Sequence, residues 1–359
     1  MASGLDGVVA AETVLSLVDG ANGRLVIRGK ELAELVPEYG FEGTAALLWD
    51  GFVPEGGDKA AVRAGLGAAR LAAFGHVPRL LAAAGDLSPV EALRVGLSLL
   101  SDAETLPHHL LAGGALPVFL AALLRRAERK PPVAPDSRLG TAADLLRMLR
   151  DARPTAAEAS ALDAYLTTVA EHGLNASTFT ARVIASTRAG TISAVLGALC
   201  ALKGPLHGGA PEPVLDMLDE IGTPERAASW FEAAIGRGQR LMGFGHRIYK
   251  VRDPRADVLK RVVLAMPRRG NRIGFAETVE REALAALKRL KPGRPLETNV
   301  EFYTALLLDA VGLPRQAFTP VFAVARVAGW TAHIMEQDRL GRLVRPESRY
   351  IGPPLASAA

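Results

Sequence analysis

Cysteine is almost missing: Cys200 is the only one in 359 residues. An internal disulfide and a Cys-rich metal site are therefore excluded, and a reduced, cytoplasmic setting is the simplest reading. Aromatic residues are scarce as well, at 5%, so the core must be built mainly from Ala, Leu and Val. Residues 1–7 carry neither a basic n-region nor an apolar h-region, which gives no sign of a signal peptide. The longest apolar run, 110–124, falls short of the roughly 20 residues that a bilayer requires and contains Pro117, so no membrane span is expected. Basic runs and basic stripes interleaved with aromatics are absent, which removes the main signature of nucleic-acid binding. The sequence also lacks a Gly-x-x-x-x-Gly-Lys phosphate loop, a Gly-x-Gly-x-x-Gly turn after a strand, a His-Glu-x-x-His motif and a Gly-x-Ser-x-Gly elbow.

What is present is ordinary globular composition, with 49% hydrophobic and 22% charged residues, enough burial to exclude a disordered chain. The length allows about two domains. A formal net charge of +4 comes from 34 Arg and 8 Lys against 38 acidic residues, a mild excess that by itself fits an anionic metabolite as well as any larger partner. Residues 14–18 and 25–28 flank an Asp/Gly/Asn turn at 19–23 and read as a β-hairpin. Almost everything after it reads as helix. Apolar residues recur at helical spacing over 41–49, 89–100, 156–170, 192–202, 214–221, 225–235 and 277–290. The segments 297–310 and 320–336 are apolar all round, as fully buried helices are. Pro and Gly punctuate the gaps, and 126–137, with three prolines, is expected to be an exposed loop between helices. Strands do not alternate with helices, so the expected class is all-α with a minor N-terminal β-hairpin, not a doubly wound α/β fold.

Three of the seven histidines stand in glycine-rich surroundings where a ligand could approach the backbone. His207 lies in Gly204-Pro205-Leu206-His207-Gly208-Gly209-Ala210. His246 lies in Gly243-Phe244-Gly245-His246-Arg247-Ile248-Tyr249-Lys250, followed by Asp253-Pro254-Arg255. His172 lies in Glu171-His172-Gly173-Leu174-Asn175. Taken singly, each is explained equally well as a helix end. Likewise Glu301, in Asn299-Val300-Glu301-Phe302-Tyr303, reads alone as a first-turn acid that favours the helix dipole. Arg326 is different: it interrupts the apolar run 322–330, where a guanidinium is costly to bury unless it meets an anion or a carboxylate. Arg345, before Pro346, would alone be a surface residue. His76, His108, His109 and His333 sit in segments without glycine enrichment and read as structural.

Taken together and in this order, the motifs at 204–210, 243–255 and 299–303, with Asn175-Ala176-Ser177-Thr178-Phe179 and the run 328–333, resemble the citrate synthase family. The resemblance runs from about Gly4 to Gly352. It implies an all-α homodimer whose large domain comprises 1–205 and 309–359 and whose small domain comprises 206–308. It implies condensation of an acyl-CoA with oxaloacetate and hydrolysis of the thioester, with no metal or organic cofactor, since the coenzyme A thioester is itself a substrate. By the same resemblance His207 hydrogen-bonds the thioester carbonyl, His246 polarises the oxaloacetate ketone, and Glu301 removes the α-proton. His172, Arg255, Arg326 and Arg345 hold the oxaloacetate carboxylates, Arg345 reaching in from the other subunit, and Lys250 contacts the CoA phosphates.

These residue types suit that chemistry. A carboxylate alone is too weak a base for a thioester α-proton, so a donor must stabilise the charge that develops on the carbonyl oxygen. A dianion is held better by planar guanidinium forks than by ammonium groups. Two departures from the commoner family pattern stand out: Glu301 occupies an Asp position and Gly173 a Glu position. The alternative readings are a 2-methylcitrate synthase taking propionyl-CoA and a CoA- or dicarboxylate-binding regulatory protein impaired by the Asp-to-Glu change.

Overall fold

The turn chemistry at Asp19 starts the fold. Its carboxylate accepts hydrogen bonds from the Asn22 backbone at 3.1 Å and the Asn22 side chain at 2.7 Å, and the chain reverses between strands Ser16–Asp19 and Arg24–Ile27. The expected hairpin is extended by a third strand, Lys30–Glu31, giving one antiparallel sheet in the order of the chain. The computed structural model describes residues 5, 7–208, 212–266, 272–293 and 296–353. Beyond the sheet they are overwhelmingly helical.

Side-chain caps fix where several helices begin. Asp58 caps Lys59–Phe74, and a Thr155/Glu158 capping box opens Ala156–Val169. Asn175 caps Ala176–Ala185, Asp253 caps Pro254–Ala265 and Asn299 caps Val300–Ala310. Each supplies an acceptor for backbone N–H groups that the helix itself cannot satisfy. The expected helix at 297–310 therefore starts only at Val300. Residues 297–299 are instead extended, and Thr298 forms a β-bridge with Phe244.

Helix Phe318–Leu340 runs through the middle and is buried along nearly its whole length. It packs on Ala156–Val169, Ala176–Ala185, Thr191–Leu202 and His108–Ala127. The last of these corrects an expectation: Pro117 does not interrupt it. The helix spans 20 residues, and 89% of its most apolar window is buried inside the protein. Proline forfeits one helix hydrogen bond, but dense packing on all sides holds the helix together. Helix Val300–Ala310 packs on Pro254–Ala265 and Glu212–Ile221, and Ala227–Gly236 packs on Arg272–Leu290; Pro254–Ala265 and Val300–Ala310 also pack on Ala156–Val169, and Pro254–Ala265 on Leu32–Glu34.

The expected loop at 126–137 begins only at Glu128, since Arg126 and Ala127 end the helix His108–Ala127, and it is anchored. Pro135 is buried, Arg125 donates to the Pro131 carbonyl, and the Asp136 N–H donates to Asp144 at 3.0 Å. Asp144 also binds buried Arg70 at 2.8 Å and Arg147 at 2.8 Å. Arg70 is 1% exposed and Asp144 0%, so water cannot substitute for a lost partner. Asp144→Ala is expected to lower stability by about 3–5 kcal/mol, measured by denaturant unfolding.

Candidate active site

Two glycines with left-handed backbones, Gly243 (φ +85°) and Gly245 (φ +82°), bend the chain before His246. A side chain at Gly243 would strike Phe302, and one at Gly245 would strike Leu296 at 2.7 Å. Glycine is thus required both for the turn and for the close approach. The approach forms a short clip. Gly245 N–H donates to the Glu297 carbonyl at 2.7 Å, Asn299 N–H donates to Gly243 at 3.0 Å, and the Asn299 side chain donates to Gly245 at 2.8 Å. The clip sets His246 and Glu301 on one side of a cavity of about 760 Å³, which His172, His207, Arg255, Arg326 and Phe322 also line.

The capping residues hold the site as well as the helices. Asp253 accepts from the Arg255 backbone at 3.0 Å and pairs with its guanidinium at 2.8 Å, and it also accepts from the Val300 N–H at 3.1 Å. Burial disfavours the charge on Arg255, but Asp253 outweighs it and raises the pKa. Among the described residues Arg326 has no such counter-ion: its Nε donates to the Val169 carbonyl at 2.7 Å and its guanidinium lies over the Phe322 ring at 4.7 Å. Burial, with Arg255 adding like-charge repulsion against the pull of Glu171, lowers its pKa to about 10. It remains a cation at neutral pH.

The three histidines are neutral for the same reasons. Burial, then the positive charges of Arg326 and Arg255, lowers His207 to about 4. Burial followed by Arg255 lowers His246 to about 4, and His172 falls well below its ordinary value by burial and both arginines. Hydrogen bonds assign the tautomer of His246. His246 Nδ1 accepts from the N–H groups of Ile248 at 3.0 Å and Tyr249 at 3.1 Å, so Nε2 carries the hydrogen. That nitrogen lies 3.3 Å from Arg255 NH2, and the two donors converge. His207 Nε2 lies 2.8 Å from Ser177 Oγ and 3.3 Å from the Ser177 N–H, at the start of helix Ala176–Ala185. The rest of its motif, Gly209-Ala210, lies outside the described residues. Glu301 moves oppositely: burial raises its pKa to about 7, although Arg240 and Arg255 pull it down.

Sequence reading missed the supports. Tyr249 is 2% exposed; its hydroxyl lies 3.2 Å from His172 Nε2, and its ring packs 4.8 Å from His246. Glu171, preceding His172, accepts from Gly173 N–H at 2.6 Å, Ser16 Oγ at 2.9 Å and His333 Nε2 at 3.1 Å. His333 in turn accepts from Arg182 at 3.0 Å. A side chain at Gly329 would meet Glu171 Oε2 at 2.3 Å, so glycine makes room for this carboxylate. His333 is not among the residues that line the cavity, but, contrary to expectation, polar groups from distant segments converge on it. Two expected residues lie away from the cavity in this chain. Lys250 is exposed, with its Nζ donating to the Arg247 carbonyl at 3.1 Å. Arg345 is exposed in the extended tail 341–353.

The family model described as "Citrate synthase, C-terminal domain" matches residues 4–347. The chain belongs to the citrate synthase family. It is 40% identical to "Putative citrate synthase 2" of Mycobacterium tuberculosis (strain ATCC 25618 / H37Rv), covering 98% of this chain and 92% of that protein. It is 36% identical to the "2-methylcitrate synthase" of the same strain, covering 97% and 90%. The solved ternary complex of Thermoplasma acidophilum citrate synthase with carboxymethyl coenzyme A and oxaloacetate matches with a TM-score of 0.88 at 25% identity, covering 100% of this chain and 98% of that one. Membership makes the chain an enzyme of the citrate synthase type.

The neutral histidines yield a spectroscopic prediction. In substrate-free enzyme the ring-proton NMR shifts of His207 and His246 should titrate with midpoints near 4 and stay flat from pH 6 to 9.

Proposed function

We propose that this chain condenses acetyl-CoA with oxaloacetate and hydrolyses the resulting thioester to citrate and coenzyme A. The observation that carries the proposal is the pairing of a buried carboxylate raised to about 7, Glu301, with neutral histidine donors and two buried guanidinium groups in one cavity. Arg255, Arg326 and His172 bind the oxaloacetate carboxylates. The thioester carbonyl accepts from the N–H of neutral His207 while Glu301 takes the α-proton. The enolate carbon then attacks the oxaloacetate ketone, whose oxygen accepts from His246 Nε2–H and is protonated as the carbon–carbon bond forms. Water cleaves the thioester, and coenzyme A leaves.

Glu301 is a stronger base than an ordinary carboxylate, and its extra methylene carries it farther from its backbone than the commoner Asp. The chemistry draws on no metal or organic cofactor, and the coenzyme A thioester is a substrate. The division into a large domain (1–205 and 309–359) and a small domain (206–308) is supported by how the helices between 212 and 310 pack on one another. We assign the active form as a cytoplasmic homodimer, with Arg345 completing the partner's oxaloacetate site and Lys250, two residues past the cavity-lining Ile248, meeting the CoA phosphates. The exposed Leu343, Tyr350 and Ile351 beside Arg345 suit a tail that lies on a second copy.

Free thiol release with acetyl-CoA and oxaloacetate, run beside propionyl-CoA, tests the reaction and its acyl choice together. Faster turnover with propionyl-CoA would assign 2-methylcitrate synthesis, and release with neither by folded protein would leave the regulatory-protein reading. Glu301→Gln is expected to abolish release, and unchanged turnover would place the base elsewhere. Glu301→Asp should slow turnover by on the order of 100-fold, because a displacement of about 1 Å has that effect, while oxaloacetate binding persists. Since Glu301 must be ionised to act, kcat/KM should rise with pH through about 7 and level off above it. Sedimentation of a folded, active monomer would overturn the dimer.

A further inference from the structure

Glu280 stands on helix Arg272–Leu290, away from the cavity lining, and is 4% exposed. Its two oxygens divide their work evenly. Oε1 accepts from Thr298 Oγ1 at 2.7 Å and from Arg252 at 2.9 Å. Oε2 accepts from the Tyr303 hydroxyl at 2.6 Å and from Lys260 at 2.9 Å. Each oxygen thus joins one neutral donor from the segment that carries Glu301 to one cation from the segment that carries Arg255. Thr298 stands three residues before Glu301, and Tyr303 stands two after it. Thr298 is also the residue bridged to Phe244, two positions before His246.

We propose that Glu280 is a positioning residue for proton abstraction: one buried carboxylate staples the clip beneath Glu301 and fixes the base against His246. This rests on the reading of Glu301 as the base. The geometry gives Glu280 that leverage because, among the described residues, the hydrogen bonds that hold Glu301 beyond its own helix come from Asn299, which caps its N–H at 3.0 Å and reaches its carboxylate, and Asn299 is itself part of the clip. Arg255 does not need the staple, since Asp253 holds it bidentately at 2.8 and 3.0 Å. The oxaloacetate side of the site is therefore insulated from Glu280, whereas the base is not. Burial alone would raise the Glu280 pKa, but Tyr303, Lys260, Thr298 and Arg252 outweigh it and hold it near 2. The carboxylate stays charged over the working pH range. Asp257 and Glu277 also face Arg252 and Lys260, so the two cations keep counter-ions when Glu280 is neutralised.

Glu280→Gln tests this in the full-length enzyme. The amide has the same shape but only one accepting oxygen, so the cation that faces its NH2 loses its acceptor and the hydroxyl beside it must reverse to accept. The expected result is a kcat lowered about 10- to 100-fold per folded enzyme, in line with a base displaced by a fraction of an ångström to an ångström. The oxaloacetate KM should change by less than about threefold, and the acid limb of the kcat/KM profile should move below pH 7 as water reaches Glu301. Tyr303→Phe, which keeps the ring in the core and removes one donor, should show the same split more weakly and covers the case in which Glu280→Gln does not fold. Wild-type kcat and acid limb with only a lower Tm would overturn the proposal by making Glu280 merely structural. A raised oxaloacetate KM at unchanged kcat would also overturn it. Failure of the underlying reading looks different: Glu301→Gln would itself retain turnover, whatever Glu280→Gln does.

Discussion

Two guanidinium groups buried beside one cavity set the terms for everything around them. Arg255 and Arg326 cannot be screened by water, and like charges in a poorly solvated space repel. Arg255 is tolerated because Asp253 grips it with two oxygens. Arg326 is tolerated only in part: a main-chain carbonyl, a ring face and the more distant Glu171 are what it has, and its pKa falls accordingly. A site built this way favours a small polyanion, which supplies the missing counter-charge where the structure leaves least compensation.

The same field decides the state of the histidines. An imidazole beside two cations, and itself buried, does not take a second proton. His172, His207 and His246 are therefore neutral, each with one N–H and one acceptor nitrogen. Backbone N–H groups at Ile248 and Tyr249 occupy the acceptor nitrogen of His246 and turn its single donor outward, while Ser177 at the start of Ala176–Ala185 holds Nε2 of His207. Glu301 feels the opposite consequence of burial, since its charged form is an anion, and it becomes a better base than an exposed carboxylate. One physical cause, desolvation, thus produces both the neutral donors and the tuned acceptor.

Helix ends carry this arrangement. Asn175, Asp253 and Asn299 each cap a helix and each stand within two residues of, or directly bind, a group in the site. These three caps have extended backbones, as side-chain caps typically do, so the chain arrives at the cavity in a defined direction and the helix leaves it rigidly. Behind them, Glu171 joins the first strand to helix Phe318–Leu340 through Ser16 and His333, and Glu336 on that helix pairs with Arg182 and accepts from Thr13. Chain ends and site are thereby mechanically connected.

The helical class, the turn at 19–23, the buried Arg326 and the glycine-flanked histidines were legible in the sequence, because apolar spacing, Asp/Asn/Gly turns and an arginine in an apolar run each have a local physical meaning. The family motifs marked the site segments for the same reason: the glycines at 243 and 245 are required by backbone geometry that no other residue adopts freely. Helix limits at 300 and the continuity through Pro117 were not legible, since a β-bridge to Phe244 and packing from all sides decided them. Nor could the sequence show Glu280, Glu171, Tyr249 or His333 as supports, because each is an unremarkable residue until distant segments fold against it. The local sequence determined which side chains were available and which way the chain could turn. Only the tertiary structure decided which of them are dry, and burial is what makes Glu301 basic and the histidines neutral.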